Sequence, residues 1–309
     1  MNRPRKKDLL SITDLTSAEI ENLLIAAGGL KQAEEDYQPL KGKVLAMIFM
    51  KRSTRTRVSF QVGMFKLGGS AIFLSPDEIQ LSRGEGIEDT ARVLSRYVDG
   101  ILIRTHEHKI AELVASHADV PVINGLTDLL HPCQVISDLF TISERRGNLT
   151  GQKIAYIGDG NNMAHSWLYA AARMGFHLAL AVPETYAPHP KVLAQSREIG
   201  KETGAVIEIT DDPALAAADA DVIYTDVWVS MGQEAGQLER INHFRPFQVN
   251  EKLLKRAKPD VLFMHCLPAH RGEEVTREVL EGPNSIILDQ AENRMYVQQA
   301  ILVSLMAGT

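Results

Sequence analysis

A chain of 309 residues, 45% apolar and 23% charged, has a globular composition and the length for two domains, each able to bury a core. Its net charge of -6 argues against a nucleic-acid binder, and no run of 18 apolar residues offers a membrane span. Only two cysteines, Cys133 and Cys266, are present, without C-x-x-C spacing, so neither a disulfide framework nor a zinc ribbon is expected. The basic residues 1–8 precede no apolar signal segment, which makes the cytoplasm the expected compartment.

In chain order, Thr16-Ser17-Ala18-Glu19 has capping-box spacing and opens a helix through Ile20, Leu23, Leu24 and Ala27. Residues 44–49 (VLAMIF) read as a buried parallel-type strand. Lys51-Arg52-Ser53-Thr54-Arg55-Thr56-Arg57 follows, placing four cations and three hydroxyls where strand passes into helix. There the first amides lack partners and the helix dipole is positive, so the stretch reads as an anion site. Ordinary helix capping with surface arginines is the plainer alternative, and the P-loop pattern is absent. Val58, Phe60, Val62, Met64, Phe65 and Leu67 continue the helix to Gly68-Gly69. Residues 70–74 form a second strand, then a polar loop to 86, then a helix marked by Ile87, Ala91, Leu94 and Val98. Residues 100–104 make a third strand with Arg104 at its carboxyl end, and 120–124 a short fourth. His106-Glu107-His108, just past the third strand, is expected to be solvated.

A helix begins at His131-Pro132-Cys133-Gln134 and runs through Val135, Ile136, Leu139, Phe140 and Ile142 to Arg146-Gly147, with the domain boundary inside it or just after it. The α/β rhythm then restarts: strands at 153–157, 177–182, 205–209, 221–225 and 261–264, a further one at 285–288, and a closing helix over 293–306. Alternating strand and helix is the pattern of parallel α/β sheets, whose ligands bind beyond the carboxyl ends of the strands.

Four stretches after second-half strands or at helix starts could carry chemistry. Gly158-x-Gly160 hints at a dinucleotide site, with Glu184 ending the next strand, but Met163 stands where the fingerprint needs its third glycine. Asn161-Asn162 either presents amides to a substrate or simply caps a helix. Asp226 to Glu234 could hold an amine under a mobile loop, or be a plain surface loop. In His265-Cys266-Leu267-Pro268-Ala269-His270 the histidines are five apart, which does not support a helical zinc pair, and Cys266 is either a buried small hydrophobe or a reactive thiol.

Phe49-x-Lys51-x-Ser53-Thr54-Arg55-Thr56-Arg57-x-Ser59-Phe60 together with His131-Pro132-Cys133-Gln134 resembles the aspartate/ornithine carbamoyltransferase family. Asp226-x-x-x-Ser230-Met231-Gly232 and His265-Cys266-Leu267-Pro268 match the ornithine-specific branch rather than the aspartate, acetylornithine or putrescine branches. The resemblance spans essentially the whole chain. It implies an α/β fold of two doubly wound parallel-sheet domains with the active site in the cleft between them. Residues 1–135, joined by the C-terminal helix 291–309, would bind carbamoyl phosphate, and 136–290 ornithine. It also implies transfer of a carbamoyl group to the δ-amine of L-ornithine, giving L-citrulline and phosphate, with no cofactor or metal. Its partners would be those small-molecule substrates and copies of itself in a homotrimer, with neither nucleic acid nor membrane.

Residue by residue, the resemblance gives carbamoyl phosphate to Ser53, Thr54, Arg55 and Thr56, with Gln80 from a neighbouring subunit. Arg104, His131 and Gln134 would hold the carbamoyl end, and Cys266, Leu267 and Arg294 complete the pocket. Ornithine would meet Asn162, Asp226, Ser230 and Met231, and the catalytic groups would be Arg104, His131, Asp226 and Cys266. The alternatives are a carbamoyltransferase for putrescine, acetylornithine or aspartate, and, further off, a nicotinamide-dependent oxidoreductase.

Overall fold

The apolar runs pair into two separate, all-parallel sheets. A computed structural model describes residues 6–33, 37–75, 84–229 and 237–308. The chain divides into one unit of Met1–Phe140 with Asn293–Thr309 and a second of Thr141–Glu292.

In the first unit α1 (Ser17–Gln32) precedes β1 (Val44–Phe49), α2 (Thr54–Lys66) and β2 (Ser70–Leu74). Then come α3 (Ile87–Leu94), β3 (Gly100–Arg104), α4 (His108–His117), β4 (Val122–Leu126) and α5 (Pro132–Arg146), whose last residues enter the second unit. The capping box is formed: Thr16 Oγ1 accepts from Glu19 N at 3.2 Å and Thr16 N donates to the Glu19 carboxylate at 2.9 Å. Strand order is β2-β1-β3-β4. Ala46, Ile48, Ile101 and Ile103 pack with Ala91, Val98 and Val114, and the intervening Leu45, Met47 and Leu102 are buried too, which is why these strands read as continuous apolar runs rather than alternating ones. Each fully buried Leu, Ile or Met among them contributes about 1.5–3 kcal/mol.

The second unit runs β5 (Lys153–Ile157), α6 (Asn162–Met174), β6 (His177–Ala181), α7 (Pro190–Thr203), β7 (Val206–Thr210), α8 (Pro213–Ala217) and β8 (Val222–Thr225). It continues with α9 (Gln237–Phe244), α10 (Glu251–Leu254), β9 (Leu262–His265) and α11 (Arg277–Leu280), and α12 (Ile287–Met306) carries the chain into the first unit's closing segment. Strand order is β7-β6-β5-β8-β9, and Trp228, Phe244, Phe247 and Phe263 are among the side chains that fill its core.

These orders fix where ligands can bind. From β1 the chain steps outward to β2 and then returns to the other side at β3; from β5 it steps to β6 and β7 and returns at β8. A doubly wound sheet opens a crevice at each such reversal, beyond the carboxyl ends of the two strands. For the first sheet these ends are Phe49 and Arg104, which face each other in register; for the second they are Ile157 and Thr225.

Two expectations change. Residues 285–288 are not a strand: Ser285 makes a single bridge to Phe263, and α12 starts at Ile287. The ladder stops because the Gln290 side chain takes the next donor, His265 N, at 2.9 Å. His108 is not solvated either; it opens α4 with its ring Nδ1 3.0 Å from Thr127 Oγ1, and burial lowers its pKa. Among the described residues no helix is long and apolar enough to cross a membrane.

Candidate active site

At the first reversal, Ser53 caps α2, its Oγ accepting from Thr56 N at 3.3 Å, so the positive end of the helix opens beside Arg55. The four cations of this turn have different fates. Lys51 is buried, and its Nζ donates to Asp128 Oδ1 at 2.6 Å. The exposed Arg57 lies 3.7 Å over the Phe73 ring, and Arg52 is exposed. Arg55 is half-buried and joins two buried arginines, Arg104 from the end of β3 and Arg294 from α12, around buried His131. Arg294 donates from Nη1 to Gln134 Oε1 at 2.7 Å and from Nη2 to Thr56 Oγ1 at 2.9 Å, and Gln134 Nε2 donates to Asp138 Oδ1 at 2.8 Å.

Burial, then the charges of Arg294, Arg104 and Arg55, drive the His131 pKa well below the usual imidazole value. At neutral pH the ring is therefore uncharged, a hydrogen-bonding group among three guanidiniums. Such a nest suits an anion that also carries a carbonyl. Neighbouring Cys133 plays no part in it: burial pushes its thiol up to about 12, and its Sγ donates to Asn124 O at 3.4 Å.

At the second reversal Asn161 caps α6, accepting on Oδ1 from Met163 N at 2.8 Å and Ala164 N at 3.3 Å. Its Nδ2 donates to Asp226 Oδ2 at 3.0 Å, while Asp226 Oδ1 accepts from Val227 N at 2.8 Å and Cys266 Sγ at 3.0 Å. Asp226 is thus a buried carboxylate held by three donors, with acceptor capacity left for a substrate cation or amine. Asn162 stands at the first helical position beside it, half-buried. Leu267 has a φ of +59°, unusual for a residue with a side chain, and precedes a cis peptide to Pro268; its N–H donates to His265 Nδ1 at 2.8 Å.

The sequence-picked residues thus fall into two groups. Ser53, Thr54, Arg55, Thr56, Arg104, His131, Gln134 and Arg294 lie in the first unit, and Asn162, Asp226, Cys266 and Leu267 in the second. Gln80, Ser230 and Met231 lie outside the described residues. Asp226, His265 and Cys266 each bring one ligand-type atom within 4.8 Å of the others. His265, however, has both ring nitrogens engaged, Nδ1 by Leu267 and Nε2 by Glu274 at 3.1 Å, so the set offers a metal only two donors.

Sequence reasoning missed Asp159 and Arg240. Arg240 Nη2 pairs with Asp159 Oδ2, its Nε donates to Trp228 O, and its guanidinium lies 4.4 Å over Tyr186. Burial raises the Asp159 pKa to about 6 against the opposing pull of Arg240. This pair anchors the backbone leading to Ser230. Asp159 carried a weak sign, an acid between two glycines after a strand, whereas Arg240 carried none.

The dinucleotide option fails on packing. A Cβ on Gly160 would lie 2.5 Å from Pro188 N and 2.7 Å from Ala187 C, and Gly160 N donates to Tyr186 O at 3.0 Å. The glycine therefore admits the protein's own backbone where a pyrophosphate would need to approach, and Met163 is buried.

Residues 7–144 match the aspartate/ornithine carbamoyltransferase carbamoyl-P binding domain, and residues 150–305 the Asp/Orn binding domain of that family. An ornithine carbamoyltransferase of Syntrophus aciditrophicus is 57% identical over 300 residues, covering 96% of this chain and 98% of that protein. One from Bacillus subtilis is 54% identical over 301 residues, covering 97% and 94%. The solved structure of the Pyrococcus furiosus ornithine carbamoyltransferase superposes with a TM-score of 0.95 at 52% identity, covering 98% of each chain. With both family domains present in order over two doubly wound parallel sheets, this chain belongs to the aspartate/ornithine carbamoyltransferase family.

Proposed function

We propose that this protein is an ornithine carbamoyltransferase, moving the carbamoyl group of carbamoyl phosphate to the δ-amine of L-ornithine and releasing L-citrulline and phosphate. The observation that carries the reading is the nest of Arg55, Arg104 and Arg294 around an uncharged His131 at a helix mouth. It provides for a doubly charged phosphate and for a carbonyl oxygen that must gain charge.

Ser53, Thr54, Arg55 and Thr56 take the phosphate, with Gln80 added from a neighbouring subunit. Arg104, His131 and Gln134 face the carbamoyl end, and Arg294 braces Thr56 and Gln134 beneath it. Asn162, Asp226, Ser230 and Met231 grip ornithine, and Cys266 and Leu267 line the remaining wall. The neutral δ-nitrogen adds to the carbonyl carbon, whose π electrons move onto oxygen, where Arg104 and His131 stabilise them. As the carbonyl re-forms, the C–O bond to phosphorus's oxygen breaks and phosphate departs against Arg55. One N–H proton leaves the nitrogen and ends on phosphate, so atoms and charge balance. Asp226, whose oxygens accept from Asn161, Val227 and Cys266, orients the amine. The thiol of Cys266 relays that proton, a role supported by its donation to Asp226, and direct attack by the amine makes a carbamoyl-enzyme unnecessary.

The domain assignment follows: 1–135 with the C-terminal helix serves carbamoyl phosphate and 136–290 serves ornithine. Val58, Val62 and Phe65 form an exposed apolar stripe on α2, and Ile72 of β2 is also exposed; this supports a trimer. Both cysteines are unbridged, in keeping with a cytoplasmic location. A citrulline assay with ornithine, acetylornithine, putrescine and aspartate as acceptors tests the function: ornithine should dominate kcat/KM, and equal turnover of another acceptor would refute the assignment. Sedimentation as a monomer at micromolar concentration would refute the trimer.

A further inference from the structure

The turn behind the Cys266 loop carries a second set of ligand-type side chains that the reaction does not use. Gly272, at φ +91°, lets the chain double back, with Gly272 N donating to Val275 O and Glu273 N to His270 O, both at 2.9 Å. The turn gathers His270, Glu273 and Glu274. His270 Nδ1 lies 4.0 Å from Glu273 Oε2 and 3.9 Å from Glu274 Oε2, and one ligand atom from each residue lies within 4.8 Å of the others. Those gaps are too long for hydrogen bonds. They are a little wider than the roughly 3.4 Å that separates two donors sharing a tetrahedral ion at about 2.1 Å, a difference small side-chain rotations close.

The independent sign is Glu274. It is wholly buried, and its Oε1 accepts from His265 Nε2 at 3.1 Å and His270 N at 2.6 Å. Its Oε2 is also buried and has no hydrogen-bond partner. A buried carboxylate oxygen left without a donor is costly, and this one lies 3.9 Å from the His270 imidazole nitrogen.

We propose that His270, Glu273 and Glu274 bind one divalent transition-metal ion of the zinc or cobalt class, through the imidazole Nδ1 and two carboxylate oxygens, with water completing the coordination. One imidazole and two carboxylates are a donor set such ions accept. Glu274 also holds His265, which in turn holds Leu267 N, so an ion on Oε2 braces the Cys266–Leu267 loop from behind.

The test is titration of the chelator-stripped, full-length protein with cobalt chloride, read by visible absorption and calorimetry. One Co²⁺ should bind per chain without a thiolate-to-cobalt charge-transfer band. Its affinity should be retained in Cys266→Ser and fall at least tenfold in His270→Ala and in Glu273→Gln. These two side chains are 49% and 34% exposed, so their replacement spares the core; if His270→Ala fails to fold, Glu273→Gln decides. Absence of binding, binding that survives Glu273→Gln, or a thiolate band lost in Cys266→Ser would each overturn the site.

Discussion

Replacing Arg294 by Met tests the brace under the anion nest. The guanidinium is 4% exposed and makes two charge-assisted bonds, to Gln134 at 2.7 Å and Thr56 at 2.9 Å. Hydrogen bonds to charged groups contribute about 1.5–3 kcal/mol each, and the substitution strands two buried acceptors. Against this gross loss of roughly 3–6 kcal/mol stand the relief of repulsion from Arg55 and Arg104 and the apolar contacts that Met regains. The net expectation is a loss of about 3 kcal/mol in the first unit. Arg294→Lys keeps the charge but not the fork, and should recover less than half. Both tryptophans, Trp167 and Trp228, lie in the second unit, so fluorescence does not report the change. Urea unfolding followed by hydrogen exchange in α2 and α12 does. A double-mutant cycle with Thr56→Val should return a coupling of about 1–2 kcal/mol. An Arg294→Met loss below about 1 kcal/mol, or a wild-type-like Arg294→Lys, would refute the brace.

Arg55→Leu should weaken carbamoyl phosphate binding by about 2–5 kcal/mol, measured by calorimetry; a change under tenfold would contradict its role. Since the attacking amine resembles a lysine with a pKa of about 10.4, kcat/KM for ornithine should climb between about pH 7 and 9, and a flat profile would remove deprotonation from the rate. Cys266→Ser should keep measurable turnover; its complete loss in a folded variant would revive a covalent intermediate. The His131 pKa is lowered in the fold, so both folded and unfolded chains hold it neutral above pH 6.5 and it contributes no slope there. As pH falls through 6.5, only the unfolded chain takes the proton, so stability should drop by about 1.4 kcal/mol per pH unit for this group. His108 adds in the same direction. His131→Gln should flatten the slope seen in acid unfolding titrations, and an unchanged slope would mean the native ring is charged.

Much of the fold was legible because parallel strands buried on both faces leave unbroken apolar runs, as residues 44–49 and 100–104 do. Helix α7 left little trace: its buried face is Val192, Ser196 and Gly200, small residues with no apolar period to detect. The anion turn was visible as a charge cluster, but Lys51 belongs to Asp128, 77 residues away, and only folding reveals that. His131 and Asn162 acquired roles through resemblance alone. The His131 environment depends on three arginines contributed by α2, β3 and α12, which no local pattern can express. The Asp159–Arg240 pair joins positions 81 apart for the same reason.

The missing side chain at Gly160 has a reach well beyond its own turn. A methyl group there would drive the segment 186–188 outward, and Tyr186 is the ring on which Arg240 rests. That guanidinium clasps the Trp228 carbonyl and pairs with the Asp159 carboxylate. A single hydrogen atom at position 160 therefore underlies a chain of contacts that ends at the Trp228 backbone. Engineers wishing to shift the Arg240–Trp228 contact have a handle there that acts through Tyr186.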